Sequence, residues 1–282
     1  YRREALACLN CHAIGGAGPV IGPDLVSLGA SAPVDYIIES LLNPGKKIKE
    51  GYHLTTVTTK EGQVYSGAPV RRDNKTLVLR DATGKTTTLP LSGSPRIEIL
   101  NASLMPPGLT ASLREDEFVD LVCFLSELGK DGAYKIGPNP TVRTWQILQK
   151  TTDYRKLKAN SLPVIRRLEG LEWKPGYSRV SGELPIDKLP TNLRFDFEFS
   201  MASFKLEVTT GGKLTFKLND PTGLQMWFGD KNVNPGTNFT MDLDKGMHEV
   251  LVAISSKVRK TPLHLQLVPG KTGGQANIQG SP

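Results

Sequence analysis

Near the start of the chain, Cys8-Leu9-Asn10-Cys11-His12 has the spacing C-x-x-C-H, and no other short run limits the fold as much. Two thiols two residues apart lie on one side of a helical turn, so both can bond to the two vinyl groups of a single porphyrin. The imidazole that follows projects toward its iron from the same face. A thioredoxin-like thiol pair needs a buried strand before it and a helix after it, whereas the preceding run, YRREALA, reads as a short helix. A structural zinc site needs four protein ligands, and the remaining cysteine, Cys123, is far along the chain. The residues therefore point to one haem c, covalent through Cys8 and Cys11, with His12 on the iron.

The surroundings extend this reading. A proximal histidine needs an acceptor for its second ring nitrogen, which fixes the ring and raises its basicity. In Gly22-Pro23-Asp24-Leu25, Pro23 lacks an N–H and has a fixed φ, so its carbonyl can be held on that nitrogen. Glycines 15, 16, 18 and 22 suit a loop hugging a flat macrocycle, though they are also ordinary loop punctuation. The sixth ligand is expected from SLMPPGLT, where Pro106 and Pro107 stiffen the backbone beside Met105. Met/His ligation raises the reduction potential, which suits electron transfer; a lone methionine is otherwise core filler. His53 in EGYHLT is the rival ligand and otherwise a half-exposed strand residue. His248 and His264 fall in a different domain.

Two helices are expected around this site. In SLREDEFVDLVCFLSELG, Ser112 and Glu115 read as a capping box. Phe118, Leu121, Val122, Leu125 and Leu128 fall at helical spacing, and Gly129 is the stop. Cys123, within this helix, is expected to be an inert buried thiol. PVDYIIESLL reads as a helix started by Ser31 and Pro33 and stopped by Asn43-Pro44-Gly45. Between His12 and Met105 the chain is too long for an ordinary small cytochrome. Its Thr-, Val- and Leu-rich segments, separated by EG, DN and TG turns, predict a small β-sheet or barrel over about 52–100, near the haem edge on the methionine side.

In their order, CLNCHAIGG, GPDLVSLG, IIESLLNPGKKIKEGY, TTVTTKEGQVYSG, LVLRDATGK, SLMPPGL and FVDLVCFLSEL resemble the haem-binding domain family of large Planctomycete and Verrucomicrobium proteins. The resemblance runs from Tyr1 to about Gly129. It implies a class I cytochrome c fold with a β insertion, commonly one part of multidomain, often dehydrogenase-like exported proteins. Residue by residue it implies attachment through Cys8 and Cys11 and axial ligands His12 and Met105. Covalent haem attachment outside the cytoplasm, a property of the family, implies a periplasmic or cell-surface location. The chain begins at Tyr1 rather than Met, shows no signal peptide and contains no apolar run long enough to span a membrane. A processed chain or a fragment of a larger protein is the expectation.

A second composition follows. Residues 131–176 read as a linker with a short helix around Trp145, and 177–270 as an antiparallel β-sandwich. There the period is two: in NLRFDFEF, Leu193, Phe195, Phe197 and Phe199 share one face, and the pattern recurs in FKLEV, KLTFKL, FTMDL, HEVLVAI and LHLQLV. GLQMWFGDKNV and LDKGMHEVLVAI resemble the anthrax protective-antigen-like sandwiches that often bind carbohydrate. Trp227 could stack on a sugar ring or pack in the core. Calcium, which such relatives hold with neighbouring aspartates, meets only Asp230 beside Lys231 here. The Gly-rich 271–282 reads as a disordered tail.

The expected fold class is thus multidomain α + β: an α-helical class I cytochrome c over 1–130 with an inserted β-barrel or sheet, then an antiparallel β-sandwich. The formal net charge is +7, with basic clusters at 46–49, 71–72, 154–158 and 257–260. These form either a solvated surface spread over two domains or a basic face that steers an acidic redox partner. Nucleic-acid binding is not expected, because the basic residues are not interleaved with aromatics and no recognition motif occurs. The leading function is one-electron transfer with a redox protein or sibling domain. The alternatives are a carbohydrate- or protein-binding module with an ancillary haem, and a haem-based gas sensor or peroxidase if Met105 is labile. No nucleophile–base pair or paired carboxylates suggest a reaction of the chain's own.

Overall fold

In the computed structural model, which describes residues 1–93, 95–270 and 273–279, the YRREALA run does not build one helix. So short a run cannot offset the cost of helix nucleation. Two 3-10 turns form instead, Glu4–Leu6 and Cys8–Asn10, separated by Ala7 in the left-handed region at φ 51°. The chain divides into two units, Tyr1–Ile14 with Gly18–Lys135, and Gly15–Ala17 with Ile136–Pro282.

The first unit contains α1 (Leu28–Ser31), α2 (Val34–Leu42), β1 (His53–Thr58), β2 (Val64–Arg72), β3 (Thr76–Arg80), β4 (Thr86–Pro90), β5 (Arg96–Ser103) and α3 (Glu115–Ser126). The β-branched residues that favour strands pair antiparallel in the order β4-β3-β2-β1-β5. Alternation buries Val57, Leu77, Leu79 and Leu89 as one small core. The expected α-helical class I cytochrome c fold is overturned. The described residues are mostly β, in three antiparallel sheets, and the longest of five α-helices has 12 residues. Helical periodicity persists only through α2 and α3, while strand-favouring residues claim the long stretch between them.

Ser112 does not cap α3. The helix starts at Glu115, and the Glu117 carboxylate accepts the Arg114 backbone N–H at 3.1 Å. That start puts three acids in the first turn, where the helix dipole favours them. Leu121, Val122, Leu125 and Leu128 are buried. Cys123, two residues from both Leu121 and Leu125, faces the opposite side of the helix and is exposed rather than buried. The helices meet where α1 presents Gly29: a Cβ built there would lie 2.1 Å from the Ser126 carbonyl oxygen. The Ala30 N–H donates to the Leu128 carbonyl at 3.0 Å beside this contact.

Glu117 also pairs with Arg3 at 2.5 Å and with Arg114 at 3.2 Å. The hydrogen bond from Arg3 is the largest cause that lowers its pKa to about 2 from 4.5. The unfolded chain therefore takes up this proton before the folded one does. The carboxylate's contribution to stability is complete above about pH 4.5 and lost as pH falls to about 2. E117Q should flatten the decline of the urea midpoint across that window; an unchanged slope would dissociate the pair from acid stability.

The stretch read as a linker carries β6 (Thr144–Leu148), α4 (Tyr154–Ala159), α5 (Leu162–Ile165) and β7 (Trp173–Tyr177), all in the second unit. Beyond it come β8 (Asn192–Arg194), β9 (Phe197–Thr210), β10 (Gly212–Leu218), β11 (Leu224–Phe228), β12 (Lys231–Val233), β13 (Asn238–Leu243), β14 (Gly246–Ile254), β15 (Leu265–Val268) and β16 (Gln275–Ile278). One sheet has the order β13-β10-β15. The other follows β12-β11-β14-β9-β6-β7, with β8 and β16 also paired to β9. Alternate residues, such as Leu206 and Val208 of β9 and Leu214 and Phe216 of β10, fill the core shared by both sheets.

A second core lies on the other side of the larger sheet, where Leu157 of α4 and Ile165 of α5 pack with Phe199, Met201, Trp227 and Leu251. Residues Phe199 to Phe204 are consequently buried without alternation, as in strands covered on both faces. NLRFDFEF is a hairpin rather than one strand. It turns at Phe195, φ 53°, between the paired Arg194 and Phe197, and of its four apolar residues Phe199 alone is buried. Of the expected tail, 271–272 and 280–282 lie outside the described residues, and Gln275–Ile278 pairs with β9. Among the described residues no helix is long and apolar enough to cross a membrane.

Candidate functional site

The C-x-x-C-H run is held by its own backbone. The Cys11 and His12 N–H groups both donate to the Cys8 carbonyl, at 3.2 and 2.9 Å, so one turn carries both thiols and the imidazole. The chain then returns to it: Gly22 N–H donates to the Cys11 carbonyl at 2.8 Å, and Leu25 N–H to that of Ala13 at 2.9 Å. The Tyr1 hydroxyl donates to the His12 carbonyl at 2.6 Å.

This return brings His12 Nδ1 to 2.9 Å from the Pro23 carbonyl oxygen. A carbonyl only accepts, so Nδ1 carries the proton and the neutral ring keeps its lone pair on Nε2. The close seat depends on Gly22, where an added Cβ would lie 2.6 Å from Cε1 and 2.7 Å from Nδ1 of the ring. Burial is the largest influence on the pKa of His12 and lowers it; the Pro23 hydrogen bond and the charge of Asp24 act the other way. Burial likewise raises the pKa values of the Cys8 and Cys11 thiols. The group favoured here is a neutral imidazole beside two protonated thiols.

Cys8, Cys11, His12, Pro23 and Met105 all border one cavity of about 420 Å³, a volume typical of cofactor and ligand sites, about 300–1,000 Å³. Apolar side chains make up much of its wall, from Leu28 of α1, Ile37 and Leu41 of α2, and Leu121 and Leu125 of α3. Met105 is positioned by its own N–H, which donates to Ser103 Oγ at 3.1 Å at the end of β5. His53 pairs with Ser103 across the β1–β5 ladder but is not among the residues bordering the cavity.

The donors suit a haem c better than a bare ion. Among the described residues no cluster of three or more His, Cys, Asp and Glu side chains could hold a metal. A porphyrin brings four donors of its own and asks the protein only for axial ones. Two thiols on one turn, an imidazole with a fixed tautomer, a thioether and an apolar wall meet that requirement. Sequence reasoning missed the role of Gly22 as the seat of the ring. It also read Lys47 and Lys49 only as surface charge, although both border the cavity together with Tyr36 and Tyr52. The tyrosines flanking the KKIK run were the available signal.

Elsewhere, Trp227 is 6% exposed within the second core, so it is not available to stack on a sugar. Asp230 pairs with Arg167 at 3.2 Å. The excess positive charge is unevenly divided: the first unit has fifteen Lys and Arg against fifteen Asp and Glu, the second twenty against thirteen. Net charge therefore gives no support to long-range steering of an acidic partner toward the cavity-bearing unit. Comparison with family models and with curated proteins returns no match to the chain.

Proposed function

We propose that the first unit carries one covalent haem c, joined through Cys8 and Cys11 with His12 and Met105 as axial ligands, and serves in one-electron transfer. The observation that carries this reading is the convergence of these four side chains on one largely apolar cavity, with Pro23 setting the tautomer of His12. When bound, such a group supplies reversible one-electron chemistry at iron.

The residues of the chain supply the rest. The Pro23 carbonyl orients the imidazole and raises its basicity. Pro106 and Pro107 restrict the backbone beside the thioether of Met105. The apolar wall limits water, which disfavours the more highly charged oxidised site and raises the reduction potential. The family resemblance of the first unit supports the same ligand set and an exported location, with a redox protein or sibling domain as the partner.

The test is the optical spectrum of the oxidised and reduced protein beside that of Met105→Ala. The wild type should be low-spin in both states, show the far-red sulfur-to-iron(III) band and react slowly with carbon monoxide. The variant should lose that band and bind carbon monoxide readily. A wild type without covalent haem would end the reading, and a high-spin, carbon monoxide-avid one would remove Met105 and turn attention to gas sensing or peroxidase chemistry.

A further inference from the structure

The wall of the cavity is not uniformly apolar. Lys47 and Lys49 are its only Lys or Arg side chains among the described residues, and Asp24 is its only acid. Both lysines come from the stretch between α2 and β1, where the Tyr52 N–H donates to the Lys49 carbonyl at 3.0 Å and closes a turn. Glu39 engages Lys46 and also Lys47, the latter at 3.0 Å. Lys49 has no ion pair among the described residues. The hydroxyls of Tyr36 and Tyr52, bordering the same cavity, have no hydrogen-bond partner among them either.

One ammonium without an ion pair and two phenols without hydrogen bonds, beside an apolar wall, define a ligand chemistry. The ligand has an apolar body and at least one ionised carboxylate, because a carboxylate placed there without a cation and donors would be costly. A metal ion or a purely apolar molecule would leave all three groups unused. The competing candidate, the exposed Phe195 turn of the second unit, has Lys158 and Arg194 near its ring but also Asp196 at its tip, which leaves its partner undefined.

We propose that Lys49, with the hydroxyls of Tyr36 and Tyr52, holds the propionate carboxylates of the haem, and that Lys47 adds a second positive charge shared with Glu39. The inference rests on the haem reading above and assigns residues to the edge of the cofactor that the thiols do not reach. Haem carries its vinyl groups and its propionates on different edges, so Cys8 and Cys11 at one and Lys49 at another fix its orientation. The positive charge of Lys49, by offsetting that of a propionate, also favours the reduced, less positive cofactor.

The experiment uses the full chain with Cys8→Ala and Cys11→Ala, in which haem uptake becomes reversible and is titrated by absorbance. Adding Lys49→Gln should weaken haem binding about ten-fold, the scale of one lost charge-assisted hydrogen bond. Haem dimethyl ester, whose propionates are masked, should already bind less tightly and lose nothing more on Lys49→Gln. Equal losses for both ligands would overturn the assignment.

A second measurement needs no cysteine change. In the covalently loaded wild type, Lys49→Gln should lower the midpoint potential, whereas Lys60→Gln, outside the cavity wall, should leave it in place. An unchanged potential in Lys49→Gln would overturn the assignment again. A wild type that takes up haem while Lys49→Gln is silent refutes the carboxylate corner alone. A wild type that takes up none refutes the haem reading and this inference with it.

Discussion

Gly29→Val should destabilise the first unit by about 3 kcal/mol, at the upper end of overpacking effects, and should sharply reduce haem uptake. The atoms that a Cβ at position 29 would meet are backbone: the Ser126 carbonyl oxygen and carbon at 2.1 and 2.3 Å and the Glu127 nitrogen at 2.9 Å. No side chain can swing away to relieve that overlap, so α1 must separate from α3. The hydrogen bond from Ala30 N–H to the Leu128 carbonyl is lost in the process. Leu28 of α1 and Leu125 of α3 both border the cavity, so the separation opens its wall. Urea midpoints and the fraction of chains carrying covalent haem read the two effects. Gly45→Ala is the control, because an added Cβ there meets nothing within 4 Å. A Gly29→Val protein as stable as the control would refute the α1–α3 contact.

Arg259→Met is expected to be the most damaging single change in the second unit. The side chain is 1% exposed and acts as a four-way tie. Its Nη1 donates to the Asp220 and Thr222 carbonyls at 2.5 and 3.3 Å, and its Nη2 to Asn219 Oδ1 and the Pro262 carbonyl at 3.0 and 2.7 Å. Methionine keeps much of the volume but takes the donor from the Asp220 and Thr222 carbonyls, while Asn219 Oδ1 and the Pro262 carbonyl keep only the His264 N–H and Asn219 Nδ2. Hydrogen bonds from a charged group contribute about 1.5–3 kcal/mol each but are not additive, so about 3 kcal/mol is the expected loss. For a unit of this size that lowers Tm by about 10 °C. Arg259→Lys should not restore it, because one ammonium cannot reproduce the planar fork. A Tm drop under about 2 °C would mean that water replaces the guanidinium at these oxygens.

The candidate site was legible where chemistry dictates spacing over a few residues. Cys8, Cys11, His12, Pro23 and Met105 stand out in short motifs, and they border one cavity because the loop from His12 to Leu25 folds back on its own backbone. The frame around them was not legible. A local match to a capping box cannot choose between Ser112 and Arg114, since three acids in a row allow more than one start for the helix. Whether Cys123 is buried depends on which side of α3 finds a partner, and its neighbour Val122 was a poor guide. Trp227 is buried by α4 and α5, elements from a stretch whose composition reads as linker. The alternation in NLRFDFEF says nothing of a left-handed Phe195, a backbone state in which bulky residues are rarely found.

The central position of β9 has a consequence for the order in which this chain can acquire structure during synthesis. Its partners are β6 and β8, made before it, and β14 and β16, of which β14 leaves the ribosome only after β10 to β13 and β16 only after β15 as well. Until then this strand, buried at six successive positions when complete, has an open edge, and the face that packs on β10, β13 and β15 is uncovered. Nascent domains with such long-range pairing fold late and are prone to aggregate while they wait. The second unit therefore depends on prompt completion of its last strands, and a pause in translation between β9 and β14 would extend the interval of greatest vulnerability.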